Sequence, residues 1–172
     1  MVEKFSLNMM TNTGKTVEEL SQEKPVLLVF LRHFGCIFCR EALRDISSRR
    51  GEIDQKGVQI VLVHMSDNAT AEKYFKDYKL SNVIHASDPE CKHYAAFGLV
   101  KGSFNQLFGL KNLIRGVEQT FKGNLITLKQ IGDGFQMPGI FMVRGGKVID
   151  SYLHRYAADR PDYDSIIACC EI

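Results

Sequence analysis

Two cysteines at C-x-x-C spacing carry the clearest chemical signal in this sequence. Cys36 and Cys39 follow the apolar run Val26–Leu31 and open a segment with helical periodicity. A thiol at a helix N-terminus faces unpaired backbone N–H groups and the positive end of the helix dipole, and both favour thiolate over thiol. Because the thiolate is the form that attacks disulfides and peroxides, the spacing predicts redox thiol chemistry.

The order of the two thiols along the helix predicts different roles for them. Cys36, at the start of the helix, is expected to be the more exposed and more nucleophilic thiol. Cys39, one turn later, is expected to face inward and to act as the resolving thiol, since residues i and i+3 are neighbours on a helix. Two core cysteines or a zinc pair are the alternatives, but zinc normally needs four ligands and no second C-x-x-C or clear histidine pair accompanies the motif.

Basic residues flank the two thiols. His33 is either a local proton donor or positive charge, or a solvated loop histidine. Arg32 and Arg40 either favour a thiolate or bind an anionic substrate, and plain solvation is the simpler interpretation for Arg40. We take Cys36, Cys39, His33 and Arg32 as the candidate catalytic residues.

The other three of the five cysteines are candidates for a second resolving thiol. Cys91 lies near the start of a predicted helix, where a packed helix cysteine is the simpler interpretation. Cys169 and Cys170 are adjacent, and neighbouring cysteines rarely pair with each other without backbone strain. In a reducing compartment, an odd number of thiols in a chain of this size suggests catalytic or metal-binding thiols rather than a disulfide framework.

Length, composition and charge limit the class of protein. The 172 residues are 45% hydrophobic, which suits one compact domain over residues 1–172. Lys and Arg total 22 against 20 Asp and Glu, with no basic run longer than Arg49-Arg50, so we expect no nucleic-acid binding. No stretch approaches the roughly 18 apolar residues of a membrane span, and the first residues lack a signal-peptide pattern. We therefore expect a cytoplasmic protein without a membrane segment.

Strands and helices alternate through the first part of the chain. The expected elements, in order, are a helix over Thr16–Glu23, a strand over Val26–Leu31, a helix from Cys36, a strand over Val58–His64, a helix over Asn68–Tyr78, a short strand over Val83–Ala86 and a helix from Asp88-Pro89 to about Phe97. Thr16 and Glu19 have the spacing of a capping box, and Asp88 with Pro89 has that of an N-cap followed by N1.

The regular pattern returns near the end of the chain. The remaining expected elements are strands over Gly139–Val143 and Lys147–Tyr152, joined by the turn Arg144-Gly145-Gly146, and a last helix after Asp159–Asp162 with Ile166 and Ile167 inward. This order implies an α/β fold with a central mixed sheet covered by helices on both faces. Cys36 then lies at the C-terminal end of the first core strand, where open α/β sheets usually place their chemistry.

Residues 99–134 interrupt this pattern. They hold six glycines and scattered aromatic residues without a clean period, and Leu107–Val117 is the one candidate helix. We expect an irregular insertion rich in glycine and aromatic residues. Phenylalanines in and beside it either line a lipid-like pocket near the active site or anchor the insertion to the core; they are Phe97, Phe104, Phe108 and Phe121.

The strand–Cys36-x-x-Cys39–helix unit, together with Met137-Pro138 directly before the hairpin, resembles the thioredoxin fold. The resemblance implies a cis peptide bond before Pro138, which would pack opposite the two cysteines. It also implies that the backbone of Met137 pairs with an extended substrate. Met137 and Pro138 are therefore the candidate substrate-binding residues.

A fuller resemblance is to the peroxiredoxin-like alkyl hydroperoxide reductase/thiol-specific antioxidant (AhpC/TSA-like) group, which includes the prostamide/prostaglandin F synthase relatives. Its motifs match Arg32–Glu41, Pro138–Phe141 and Asp159–Pro161. The resemblance implies a thiol peroxidase that acts without metal or organic cofactor and is reduced by a thioredoxin-like donor. A protein disulfide oxidoreductase, an endoperoxide reductase and a non-enzymatic redox sensor or binding module are the alternatives. The oligomeric state is open, with a homodimer as one option.

Several positions depart from the better-known relatives. The motif Pro-x-x-x-Thr-x-x-Cys of ordinary peroxiredoxins has Val29 and His33 in place of its proline and threonine. The buried aspartate that thioredoxins carry six residues before the nucleophile is Phe30 here. The late-strand arginine of peroxiredoxins has no clear counterpart, because Pro138 stands at about that place. The residues that assist the reactive cysteine in the two families are therefore missing from their usual positions.

Overall fold

A five-stranded mixed sheet is the framework of the protein. The computed structural model describes residues 7–109, 114–115, 117–118 and 131–168. The strands are β1 (Val26–Phe30), β2 (Gln59–His64), β3 (Ile84–Ser87), β4 (Gly139–Arg144) and β5 (Lys147–Leu153). The helices are α1 (Val17–Glu23), α2 (Ile37–Gln55), α3 (Asn68–Asp77), α4 (Lys92–Ala96), α5 (Phe104–Phe108) and α6 (Tyr163–Ala168).

The strands lie in the order β3-β2-β1-β4-β5, with β1 in the centre. β1 is parallel to β2 and antiparallel to β4, and β4 and β5 form the predicted hairpin. Side chains of β1 alternate between two cores: Leu27 and Val29 face the cluster that contains Cys39, whereas Leu28 and Phe30 face the opposite cluster. The predicted α/β thioredoxin-like fold, a mixed sheet with helices on both faces, is confirmed.

Helix α1 begins with the capping box that its sequence predicts. The Thr16 hydroxyl accepts a hydrogen bond from the Glu19 N–H at 3.2 Å, and the Thr16 N–H donates to the Glu19 carboxylate at 2.7 Å. Two otherwise unpaired donors at the helix start are satisfied in this way. The box fixes the turn that leads through α1 into the central strand.

The predicted start of the helix after β3 is wrong by three residues. Helix α4 begins at Lys92 with Cys91 in the left-handed conformation at its N-cap, rather than with Asp88 and Pro89 as N-cap and N1. The Asp88 carboxylate nevertheless caps the helix, because it accepts from the N–H groups of Lys92, His93 and Tyr94 at 2.8–3.1 Å. The carboxylate therefore bridges a longer turn to reach the same helix start.

Part of the predicted insertion is regular. The short helix α5 has its own capping box between Ser103 and Gln106 and ends at Phe108. Of the described residues in the predicted Leu107–Val117 helix, all except Gly109 are helical. Residues 110–113, 116 and 119–130, which include Phe121, lie outside the described residues, as do Cys169 and Cys170. No helix within the described ranges is long and apolar enough to cross a membrane.

The Asp88 cap gives a stability prediction. Asp88→Ala removes a buried carboxylate that accepts three backbone N–H groups, so we expect the free energy of unfolding in urea to fall by about 2–3 kcal/mol. Asp88→Asn keeps one acceptor oxygen, so its free energy of unfolding should fall clearly less than that of Asp88→Ala. Equal losses in the two variants would show that the carboxylate does not cap α4.

Candidate active site

The start of α2 brings the two cysteines to the end of the central strand. Cys36 is the N-cap residue of α2 and Cys39 lies in the first turn of the helix. Both thiols are free and both are buried, with 7% of Cys36 and 2% of Cys39 exposed. The expected order of exposure is confirmed, but Cys36 is far less accessible than a surface thiol. A small opening rather than a broad surface must therefore give access to it.

Arg32 is the polar partner of the Cys36 sulfur. Its Nη1 donates to Cys36 Sγ at 3.0 Å, its Nε donates to the Gln136 carbonyl at 3.4 Å, and its Nη2 donates to the Gly134 carbonyl. The side chain itself is buried. A charge-assisted hydrogen bond from a guanidinium is strongest to an ionised partner, so this contact favours the thiolate form of the sulfur. The predicted placement of Arg32 beside the thiol is what the structure shows.

His33 does not supply a positive charge to the site. Burial, together with the nearby Arg32 charge, lowers the pKa of its ring to about 4, so the ring is neutral at pH 7. The interpretation of His33 as a local cation is therefore wrong. Within the described part of the chain, its Nδ1 is buried without a hydrogen-bond partner. A neutral ring can still exchange a proton, so that role stays a prediction.

Cys39 lines a small cavity beside α2. The cavity has a volume of about 30 Å³, and its lining includes Arg32, Glu41, Pro138 and His154. Burial raises the pKa of the Cys39 thiol, and the neighbouring Cys36 raises it further. The raised pKa keeps Cys39 in the thiol form at neutral pH. Pro138 lines the same cavity, as its expected position opposite the cysteines requires.

The geometry implied for Met137 and Pro138 is corrected in two respects. The peptide bond between them is trans, the form that X–Pro bonds adopt unless packing enforces cis. The Met137 N–H donates to the Val100 carbonyl at 3.4 Å, and the Met137 carbonyl accepts from Gln136 Nε2 at 3.2 Å. Lys101 and Gln136 also form an antiparallel bridge. The chain itself therefore occupies the backbone edge at which an extended substrate was expected.

The loop before Cys36 is held by aromatic contacts that the sequence did not reveal. The rings of Phe34 and Tyr74 stack with centroids 4.4 Å apart, and the Tyr74 hydroxyl donates to the Phe34 carbonyl. Arg40 Nη2 lies 3.4 Å from the Tyr74 hydroxyl, so Arg40 is a partner of this contact rather than a solvated residue. Helix α3 thereby fixes the turn that presents Cys36.

Cys91 does not approach the cysteine pair. It packs against the cluster on the face of the sheet opposite to Cys39. Burial raises the pKa of its thiol, and the Asp88 carboxylate raises it further. The interpretation of Cys91 as a packed helix cysteine agrees with this position.

Comparison with known proteins identifies the family. Residues 45–157 match the AhpC/TSA antioxidant enzyme family, which is more than half of the chain. The chain belongs to the AhpC/TSA family. The matched region begins after the C-x-x-C motif. The family assignment therefore rests on the sequence that follows the motif and is independent of the two cysteines. The predicted family is thereby confirmed.

Individual relatives cover most of the chain. A prostamide/prostaglandin F synthase of Pongo abelii is 43% identical over 151 residues, which are 86% of this chain and 76% of that protein. A protein of Arabidopsis thaliana named "Thioredoxin-like protein AAED1, chloroplastic" is 27% identical over 163 residues. That alignment covers 90% of this chain but only 65% of the plant protein.

Solved structures of the family share the fold. Peroxiredoxin Q of Xanthomonas campestris aligns with a TM-score of 0.66 and 16% identity over 98% of this chain and 91% of that one. A cysteine-to-serine mutant of peroxiredoxin 6 of Arenicola marina aligns with a TM-score of 0.65 and 13% identity over 95% of this chain and 67% of that one. At these identities the alignments show the fold alone. They agree with the mixed sheet and flanking helices described above.

The contact between Arg32 and Cys36 predicts the reactivity of the thiol. In Arg32→Met the sulfur loses its charged donor, so alkylation of Cys36 by iodoacetamide at neutral pH should slow by about tenfold or more. Arg32→Lys keeps the positive charge but loses the planar guanidinium with its several N–H donors. Its rate of Cys36 alkylation should therefore lie between those of the unmodified protein and Arg32→Met. Arg144→Met removes an arginine from the exposed hairpin turn and serves as the control. Mass mapping measures the rate at Cys36, and an unchanged rate in Arg32→Met would contradict the contact.

The burial of the His154 ring leads to a prediction of how the stability of the protein depends on pH. Burial lowers the pKa of its ring to about 4, so below its ordinary value of 6.5 the unfolded chain binds a proton that the folded chain does not. Stability should fall as pH drops from 6.5 to 4, by about 2–3 kcal/mol from this residue. His154→Gln should therefore flatten this part of the profile in urea unfolding. If the unfolding free energies of the unmodified protein and His154→Gln changed with pH in the same way, His154 would be ruled out as the cause of this pH dependence.

Proposed function

We propose that the protein is a thiol peroxidase in which Cys36 is the peroxidatic cysteine, Arg32 activates it and Cys39 resolves the oxidised form. The observation that carries the proposal is the 3.0 Å contact between Arg32 Nη1 and Cys36 Sγ at the start of α2. Membership of the AhpC/TSA family supports thiol redox chemistry in this frame. A reducing compartment such as the cytoplasm suits free thiols of this kind.

The first step transfers one oxygen atom to sulfur. The Cys36 thiolate attacks the nearer peroxide oxygen, an S–O bond forms and the O–O bond breaks. Sulfur is oxidised by two electrons to a sulfenic acid, and the peroxide is reduced to an alcohol, or to water from hydrogen peroxide, after the leaving oxygen takes a proton. Two carbonyls hold the Arg32 side chain with its Nη1 on the Cys36 sulfur, so the guanidinium charge can stabilise negative charge as it moves from sulfur to the leaving oxygen.

The second step closes the Cys36–Cys39 disulfide. The Cys39 sulfur attacks the sulfenic sulfur, an S–S bond forms and the S–O bond breaks. The hydroxide leaves as water with the proton that Cys39 gives up, so the step is neutral overall. Because burial raises the pKa of Cys39, this thiol does not compete with Cys36 for peroxide. A thioredoxin-like dithiol then restores the pair by disulfide exchange with two electrons and two protons.

Oxidation of NADPH through thioredoxin reductase and thioredoxin tests this proposal. With hydrogen peroxide the unmodified protein should turn over, and Cys36→Ser should be inactive. Cys39→Ser should complete one oxidation and accumulate a sulfenic acid that dimedone traps. Cys91→Ser changes a cysteine on the other face of the sheet and should retain full activity. Turnover in Cys36→Ser would refute the assignment.

Reversible cycling without turnover would identify a redox sensor instead. Turnover with insulin disulfides, but not with peroxide, would identify a disulfide oxidoreductase. Each of these two results excludes the peroxidase proposal.

A bulky lipid peroxide or endoperoxide is a second candidate substrate. The 43% identical relative is named as a prostamide/prostaglandin F synthase, and α5 exposes Phe104 and Phe108 with ring centroids 5.0 Å apart. On its other side α5 buries Leu107 in one cluster with Met137, so this apolar surface lies beside the proposed site. If the surface binds substrate, Phe104→Ser with Phe108→Ser should lower kcat/KM for a bulky organic peroxide while that for hydrogen peroxide stays constant. Equal effects on both peroxides would remove this candidate.

A further inference from the structure

The side chain of Gln136 links two segments of the chain beside the contact between Arg32 and Cys36. Gln136 is buried, with 2% of its surface exposed. Its Nε2 donates to the Leu99 carbonyl at 2.8 Å and to the Met137 carbonyl at 3.2 Å. Its own backbone carbonyl accepts from Arg32 Nε at 3.4 Å. The same residue therefore holds a neighbouring segment with its side chain and the guanidinium with its backbone.

The orientation of the Gln136 carboxamide follows from the chemistry of its partners. An amide oxygen only accepts hydrogen bonds, whereas the amide nitrogen carries two hydrogens to donate. The two partners, on Leu99 and Met137, are carbonyl oxygens that cannot donate, so the nitrogen must face them. The two hydrogens match the two acceptors, as a buried amide requires. The carboxamide therefore has one favourable orientation at this position.

The contacts of Gln136 belong to a closed ring that passes through Arg32. The Leu99 N–H donates to the Tyr94 carbonyl at 2.9 Å, and the Tyr94 hydroxyl donates to the Leu31 carbonyl at 2.7 Å. Leu31 precedes Arg32 in the chain, and Arg32 Nε returns to the Gln136 carbonyl. The Tyr94 side chain is fully buried and anchors the ring in the core. The ring therefore fixes the Gln136 carbonyl relative to the residue from which the guanidinium extends.

The carboxamide is the shorter of the ties that hold this edge near Met137. The backbone contact there, from the Met137 N–H to the Val100 carbonyl, is 3.4 Å, beyond the usual range of about 2.7–3.2 Å. Val100 is 72% exposed, so packing does little to hold it. The contact between Arg32 Nε and the Gln136 carbonyl is 3.4 Å as well. Without the bond to Leu99, a small displacement of the Gln136 carbonyl would therefore break its contact with the guanidinium.

We propose that Gln136 is a positioning residue for the reactive thiol: its carboxamide fixes the carbonyl that holds Arg32, and Arg32 Nη1 is thereby kept on the sulfur of Cys36. A guanidinium is planar and rigid, so a contact at Nε limits where Nη1 can lie. The inference rests on the proposed function, in which Arg32 activates Cys36. Gln136 acts through the arginine and takes no part in the bond changes at sulfur.

Alkylation of Cys36 by iodoacetamide, followed by mass mapping at several pH values, tests this role. Gln136→Met keeps the length of the side chain and removes both donors. At neutral pH its alkylation rate should fall by about threefold or more, because a displaced guanidinium favours the thiolate less. At about pH 10, above the ordinary pKa of a thiol, its rate should equal that of the unmodified protein. Gln106→Met removes a glutamine that caps α5 outside the ring, and its rate should be unchanged.

Combination with Arg32→Met shows whether Gln136 acts through the arginine. The double variant should react within about twofold of Arg32→Met alone, because the contact that Gln136 positions is already lost. A role in packing or access alone would change the rate at every pH and would add to the effect of Arg32→Met. Additive losses, a loss that persists at about pH 10, or an unchanged rate in Gln136→Met would each overturn the proposal.

A milder variant decides the question if urea unfolding shows that Gln136→Met does not fold. Gln136→Asn keeps the amide but is shorter by one methylene, so the nitrogen cannot stay on both carbonyls. It should also react more slowly than the unmodified protein at neutral pH and equally fast at about pH 10. A slower rate in Arg32→Met with unchanged rates in the Gln136 variants would overturn the positioning role and leave the proposed function standing. An unchanged rate in Arg32→Met would overturn both the positioning role and the proposed activation by Arg32.

Discussion

A buried guanidinium, that of Arg32, determines how the site is built. An arginine stays charged in a protein, and a buried charge without partners is strongly destabilising. Arg32 meets this requirement with the carbonyls of Gly134 and Gln136 and with the sulfur of Cys36. The first two tie the end of β1 to the segment before β4. The third neutralises the charge best when the sulfur is a thiolate, so the reactivity of Cys36 and the burial of Arg32 support each other.

The chain closes the edge beside the site with its own backbone, and this bears on the choice of substrate. Residues Val100 and Lys101 pair with the segment around Gln136, and the polar backbone groups of Met137 have partners within the chain. An extended protein substrate would need to displace these contacts before it could pair with Met137. A peroxide needs only access to the sulfur. The closed edge is consistent with the proposal of a peroxide, rather than a protein disulfide, as the oxidant.

Local sequence patterns predicted the framework, and long-range contacts decided the site. The Thr16 capping box, the central strand and the hairpin depend on neighbouring residues, and all were predictable. The acceptors of Arg32 lie 102 and 104 residues away along the chain, and no short motif indicates them. The start of α4 was missed because a carboxylate, that of Asp88, reaches across a turn, which spacing rules do not describe. The bond before Pro138 is trans rather than cis as the thioredoxin resemblance implied, because the local sequence does not fix the isomer of an X–Pro bond.

The absence of the buried aspartate of thioredoxins follows from where position 30 points. Phe30 faces the sheet side opposite to Cys39 and packs against Tyr94 with ring centroids 4.9 Å apart, so a carboxylate there would be buried among aromatic rings. The cavity that Cys39 lines instead includes Glu41 and His154 among its polar residues. Burial raises the pKa of Glu41, and Arg115 and then Arg160 oppose this rise. In the proposed mechanism, resolution of a sulfenic acid would transfer the Cys39 proton to the departing hydroxide, so these groups would need only to relay a proton and none would have to retain it.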